Sequence, residues 1–277
     1  VSGRRTISGA IERFVHSHAG QLAGVVMIAV LAFLWLPIGV LVFMSFADGG
    51  VLSFPPDQLT LRWYGVFLEN EAARSAIVTT LTISVPSTII TVTLATMTAY
   101  AVDRYGFRGR GTLQLLSTLP IVVPLVVTGV ALVLFLDGTL GLPDYLSVVL
   151  AHVIRTIPFA TLVILPTFVR FDRGLEEASK DLGADELATF RQVTLPNVFP
   201  GVVAGGLLAF TLSFNEFVYT YFVKGSGDPT LPVYIWNQIR YNVTPEVNVI
   251  SVVFLVVAVT LVLVAVSLTR VELLTKR

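Results

Sequence analysis

Six long apolar stretches, residues 22–46, 75–102, 112–136, 146–169, 198–223 and 248–269, dominate the sequence. Each can cross a hydrocarbon core of about 30 Å at about 1.5 Å per residue. Lipid offers no hydrogen bonds to a backbone, so stretches of this length resolve as helices, and the pattern predicts an all-α integral membrane protein with six spans. With 55% hydrophobic and only 13% charged residues, the apolar excess is more than one soluble core of 277 residues could bury. The first stretch is as long as a full crossing, whereas the apolar core of a signal peptide is shorter, so it reads as a retained membrane helix. The sequence starts at Val1, which fits either a trimmed chain or a start codon translated literally. Pro37, Pro86, Pro120, Pro124 and Pro158 interrupt the spans and are expected to kink helices rather than to end them.

Orientation follows from where the bases lie. One side carries Arg4, Arg5, Arg13, Arg104, Arg108, Arg110, Arg170, Arg173, Lys180, Arg191, Arg270, Lys276 and Arg277. The other has only Arg62, Arg74, Lys224 and Arg240, with Arg155 inside a span. Thirteen bases against four place both termini in the cytoplasm. The outer loops hold eight acids: Asp48, Asp57, Glu69, Glu71, Asp137, Asp144, Asp228 and Glu246. Such a face concentrates cationic solutes, although acids also avoid neither side of a membrane. The net charge of zero gives no overall attraction to nucleic acid, and the absence of cysteine excludes disulfides and thiolate sites. The three histidines are not spaced as a metal site. Near the N-terminus, Ile7, Ala10, Ile11, Phe14 and Val15 share a helical face opposite Glu12, Arg13 and His16, as in a helix lying on the inner membrane surface.

Between the fourth and fifth spans lies the one long cytoplasmic loop, RFDRGLEEASKDLGADELATFRQVTLPN. A polar helical run has Glu176 and Glu177 near its start, where the helix dipole favours acids, and Gly183 is a natural stop. A second amphipathic run reaches Val193, and Leu195-Pro196 is expected to turn the chain into the next span. This predicts a helix-turn-helix knob that a partner can grip. Glu177-Ala178-Ser179, Gly183, Val193 and Leu195-Pro196 resemble, at their fixed spacings, the EAA loop of binding-protein-dependent ABC importer permeases, with Ser179 and Val193 where Ala and Ile are usual. The segments LTLRWYGVFLEN, LAFTLSFNEFVYTYFVKG and the Leu231-Pro232 and TPEVN pair extend the resemblance to PotC-type permeases of spermidine/putrescine importers, a subfamily that also serves other small solutes.

The resemblance implies a six-helix type I (MetI-like) transmembrane domain over residues 22–270, with a coupling loop at 171–197, an N-terminal segment 1–21 and a tail 271–277. It implies a multi-pass subunit of the bacterial inner membrane that is not itself an enzyme. The coupling loop would dock on ATPase subunits that hold ATP and magnesium. A second permease subunit of different sequence and an external solute-binding protein complete the assembly. Consistently, no G-x-x-x-x-G-K-[ST] phosphate loop occurs in the sequence, the nearest candidate being KGSGDPT from Lys224. The cargo is expected to be a polyamine, with an opine, an aminophosphonate, another amine or an ion as alternatives.

Glu216 is the only carboxylate well inside a span, a placement that costs several kcal/mol unless it faces water, a partner or the bundle interior. Ser213, Glu216 and Thr220 fall at i, i+3 and i+7, one face of a helix, and with Asn215 they are the candidate cation contacts along the path. His152 and Arg155 form a polar stripe on the fourth span, where Arg155 can snorkel outward or pair with Glu216. Gly201 and Gly205 form a small-xxx-small pair suited to close helix packing. A membrane enzyme would need a catalytic pair or metal cluster, and a secondary transporter typically shows two inverted halves; neither pattern is visible in the sequence.

Overall fold

The computed structural model describes residues 3–48, 54–225, 227–241 and 244–275, with side chains described at 20–21, 23–48, 54–225, 227–241, 244–260 and 262–263. Among the described residues there are helices and one isolated β-bridge, and no strand. Two compact units are distinguished and are considered one at a time, one within residues 1–66 and 243–252, the other within 67–242 and 253–277.

In the first unit, α1 (Gly3–Met44) continues through residues 7–18, whose proposed surface-lying face falls outside the described side chains. Val25, Phe33, Trp35 and Leu36 are exposed along it, as lipid-facing side chains are. The chain then folds back at the Ala47/Leu59 bridge, fixed by Asp48 N–H to Gln58 O at 3.1 Å and by the Ser45 and Tyr64 hydroxyls at 2.8 Å.

The second unit is built on three long helices, α3 (Glu71–Arg104), α6 (Asp144–Arg170) and α9 (Leu195–Phe214), which pack pairwise. α2 (Arg62–Glu69) leads into α3, whose N-cap Asn70 accepts from Ala73 N–H at 3.0 Å. Small residues at the three-helix contact, Ala95, Ala99, Ala160 and Ala209, let backbones approach closely. A Cβ on Gly205 would lie 2.6 Å from Ile164 Cγ1 and 3.3 Å from the Ala160 carbonyl, so this glycine sets the α6–α9 spacing. Thr91 and Thr156 join α3 to α6 at 2.7 Å. Pro86 lacks the N–H that would reach Thr82 O, and the Tyr145 hydroxyl donates to that carbonyl instead at 2.8 Å.

Pro37, Pro86, Pro120 and Pro158 lie inside helices as expected. Pro124 does not. The third expected span is two helices, α4 (Arg110–Val122) and α5 (Leu125–Val133, continuing as a π turn Leu134–Thr139), meeting at 106°. The ring of Pro124 forces Val123 into an extended conformation, ψ 132°, and that ends α4. The fifth expected span is also broken: α9 stops at Phe214 and α10 (Val218–Val223) starts after three residues. At its other end α9 is longer than expected. Leu195-Pro196 makes no turn, because α8 (Glu186–Thr189) passes through a π turn, Phe190–Thr194, directly into α9. There Leu195 N–H reaches back five residues to Phe190 O, a widened turn in which the missing N–H of Pro196 is absorbed. α7 (Gly174–Asp181) precedes α8, and α11 (Leu231–Tyr241) and α12 (Glu246–Thr275) follow, the last over the sixth expected stretch. Among the described residues four helices, Ala23–Met44, Glu71–Arg104, Asp144–Arg170 and Glu186–Phe214, are long and apolar enough to cross a membrane, and the bent α4–α5 pair makes a fifth where it is counted as one span.

Candidate functional site

The loop between α6 and α9 is a folded knob. Gly183 sits at φ +92°, a conformation that suits glycine, directly after α7. Gly183 N–H donates to Lys180 O at 2.9 Å and Ala184 N–H to Ser179 O at 3.1 Å, the paired bonds of a Schellman stop. Asp185 then caps α8, its carboxylate accepting from Ala188 N–H at 2.6 Å. Ser179 and Thr189 hydroxyls meet at 3.2 Å and close α7 onto α8. Glu177 and Ala178 face solvent, as does Leu182, which is 90% exposed. Val193 lies half-buried in the π turn, and Leu195 and Pro196 form the first turn of α9.

The knob is fastened to the end of α3 by charges that local sequence reasoning did not connect. Arg104 reaches Glu176 at 2.9 Å, and Thr194 donates to the same carboxylate at 2.5 Å. Arg104 also contacts its neighbour Asp103, and Arg173 donates to the Asp103 carbonyl at 2.9 Å and to its carboxylate at 3.3 Å. Glu176 was legible only as an acid at a helix start; its partner lies 72 residues away.

The second constellation lies at the α9–α10 break. Because the helix is interrupted, Ser213, Glu216 and Thr220 do not share a continuous helical face; α6 gathers them instead. The two ring nitrogens of His152 lie 2.8 Å from Ser213 Oγ and 2.8 Å from Thr220 Oγ1, so one buried imidazole spans the break. Each hydroxyl can donate or accept, which satisfies both nitrogens in either tautomer. Glu216, 6% exposed, accepts from Tyr219 N–H at 2.8 Å through one oxygen and lies 3.4 Å from Arg155 Nε through the other. Arg155 rests on the Phe159 ring at 5.0 Å, and its Nε makes no hydrogen bond. The pair is therefore electrostatic and loose. Asn215 is exposed and donates to Thr211 O at 2.9 Å, as the end cap of α9, without joining the cluster. Among the described residues no group of three or more His, Asp or Glu is placed to hold a metal ion.

With this geometry in place, the comparisons with known proteins converge. The family model of the binding-protein-dependent transport system inner membrane component matches residues 91–277. The putrescine transport system permease protein PotI of Escherichia coli is 35% identical over 238 residues, 83% of this chain and 84% of that protein. The spermidine/putrescine transport system permease protein PotC of Haemophilus influenzae is 33% identical over 246 residues, 88% of this chain and 95% of its own length. In fold, the chain is similar to a bacterial ABC transporter involved in import of the acidic polysaccharide alginate, with a TM-score of 0.73 at 17% identity over 94% of this chain and 98% of that one. It is also similar to the inward-facing MetNI methionine ABC transporter, TM-score 0.60 at 14% identity over 77% of this chain and 99% of that one.

Proposed function

Because the chain belongs to the family of binding-protein-dependent transport system inner membrane components, we propose that it forms half of the path by which an ATP-driven importer carries a polyamine, putrescine or spermidine, across a bacterial inner membrane. ATP and magnesium are held by ATPase subunits, which grip the knob through the exposed face around Glu177, Ala178 and Leu182. A second permease subunit of different sequence supplies the other half, and an external solute-binding protein delivers the cargo.

The observation that carries the reading is the buried carboxylate of Glu216, at the far end of the helix that begins in the knob. Glu186–Phe214 is one continuous helical rod, so displacement of the knob reaches the α9–α10 break directly. There Arg155 holds the place of a cation beside Glu216. An arriving ammonium exchanges with the guanidinium, and a single loosely engaged acid binds strongly enough to admit a cation and weakly enough to release it. His152, with its bonds to Ser213 and Thr220, keeps both sides of the break in register during that exchange.

The test is uptake by the assembled complex in vesicles, with labelled putrescine and spermidine offered by the solute-binding protein. Expected is accumulation that requires ATP. Solute movement by this chain alone without ATP would refute the importer reading, and ATP-dependent uptake of a neutral or anionic solute in preference to amines would refute the cargo.

A further inference from the structure

Beside the knob, next to the Arg104–Glu176 pair that fastens it to α3, lies an open cleft of about 440 Å³, within the usual range of about 300–1,000 Å³ for small-molecule sites. Met97, Tyr100 and Tyr105 from the end of α3 line one wall, and Glu186, Leu187 and Phe190 from α8 and its π turn line the other. Tyr100 meets Tyr105 at 5.9 Å and Phe190 at 5.1 Å, both edge-on rather than stacked. Three electron-rich rings and one carboxylate converge here; the described lining residues include no base, and Lys180 reaches the carboxylate from α7. We propose that this cleft is a cytoplasmic-side binding site for an alkylammonium cation, separate from the path at Glu216.

The chemistry selects that class of ligand. Aromatic rings attract a cation through the negative faces of their π systems, and Met97 and Leu187 accept the methylene stem. Glu186 already shows how an ammonium sits, since Lys180 Nζ stands 3.6 Å from its carboxylate. That pair is solvent-exposed and weak enough to yield to a ligand that also gains the ring contacts. A bound cation would bridge α3 and α8, the two elements that meet at the cleft. The reading of the cargo as an amine enters only in the choice of probe.

The measurement is equilibrium dialysis of radiolabelled spermidine against the assembled permease–ATPase complex in lipid nanodiscs, without solute-binding protein and in an Arg155→Gln, Glu216→Gln background that removes the path carboxylate together with its counter-ion. Expected is one saturable site per copy of this chain, weakened at least about tenfold by Tyr105→Leu and by Glu186→Gln, and kept by Tyr105→Phe. Glu186→Gln is nearly isosteric at an exposed position and decides alone should Tyr105→Leu fail to assemble. Absence of a saturable site, indifference to Glu186→Gln, or equal displacement by Mg²⁺ (a carboxylate site without ring contacts) would each overturn the proposal. If vesicles transport polyamine and no such site is found, the cleft proposal fails and the cargo reading stands; binding at the cleft without polyamine transport gives the reverse.

Discussion

The guanidinium of Arg104 lies 2.9 Å from the carboxylate of Glu176, and this contact ties the last turn of α3 to the helix that opens the knob. Both side chains are largely buried, 8% and 12% exposed, so the pair is shielded from solvent screening. Arg173, anchored on Asp103, doubles the attachment. If ATPase subunits grip the knob as proposed, a loose tether to the bundle would absorb their motion, whereas fastening at two points would pass it on to α3.

Glu176→Ala should therefore uncouple the transporter. Removing one member of a buried pair costs about 3–5 kcal/mol, and the low end applies because Arg104 keeps Asp103 as a partner. Expected is at least a tenfold loss of uptake, with Arg104→Ala similar and the double variant no worse than either single one. Full uptake in Glu176→Ala would show the tether to be dispensable.

Gly183 gives a cleaner test of the knob, because a Cβ there would meet nothing within 4 Å and any penalty is backbone strain at φ +92°. Gly183→Val should cost about 1–3 kcal/mol locally, and Gly183→Asn, which tolerates the left-handed region, markedly less. Uptake and stimulated ATP hydrolysis should fall together in the valine variant while membrane insertion is retained. Equal activity of the two variants would separate the turn from coupling.

Gly205 should behave differently, since its missing side chain is required by packing. Gly205→Val drives a branched side chain into Ile164 and the Ala160 carbonyl, an overpacking that costs about 1–3 kcal/mol. Gly39→Val, in an open position on α1, is the control. A thermal unfolding midpoint lowered in the first and unchanged in the second is the expected result; equal midpoints would mean that α6 and α9 separate freely.

Apolar length made the helices legible, and fixed spacing made the knob legible, down to a positive φ at Gly183. The breaks were harder to read. Pro120 and Pro124 carry the same local signal, yet α4 runs through the first and ends before the second, where Val123 turns extended and α5 leaves at 106° to pack against α10. The break after Phe214 had a quieter marker, the polar pair Asn215-Glu216 inside an apolar run, where Asn215 caps α9 and Glu216 caps the start of α10. Ser213, Glu216 and Thr220 do come together, but not on one helical face. What unites them is His152 and Arg155 of α6, a contact between segments some 60 residues apart that no periodicity within either helix encodes.

The Arg155–Glu216 pair decides whether the cluster is scaffold or path. Glu216→Gln keeps the shape and the Tyr219 cap but removes the charge, leaving Arg155 buried without a counter-ion, so the single variant should lose stability as well as transport. Arg155→Gln strands the carboxylate in the same way. In the double variant neither charge remains, and assembly with the ATPase should recover, with a favourable coupling energy of about 0.5–3 kcal/mol between the two sites. If Glu216 meets the cargo, uptake of spermidine stays at least about tenfold down despite that recovery, equivalent to about 1.4 kcal/mol in the barrier. Arg155→Gln alone then has a distinctive signature: the carboxylate is freed of its internal cation, so the cargo binds more tightly at the break and leaves more slowly, and uptake saturates at lower substrate with a lower maximum rate. Measuring initial uptake rates against spermidine concentration in the three variants separates the cases. A double variant that transports normally would reduce the pair to scaffold, and the path would then have to run elsewhere in the bundle.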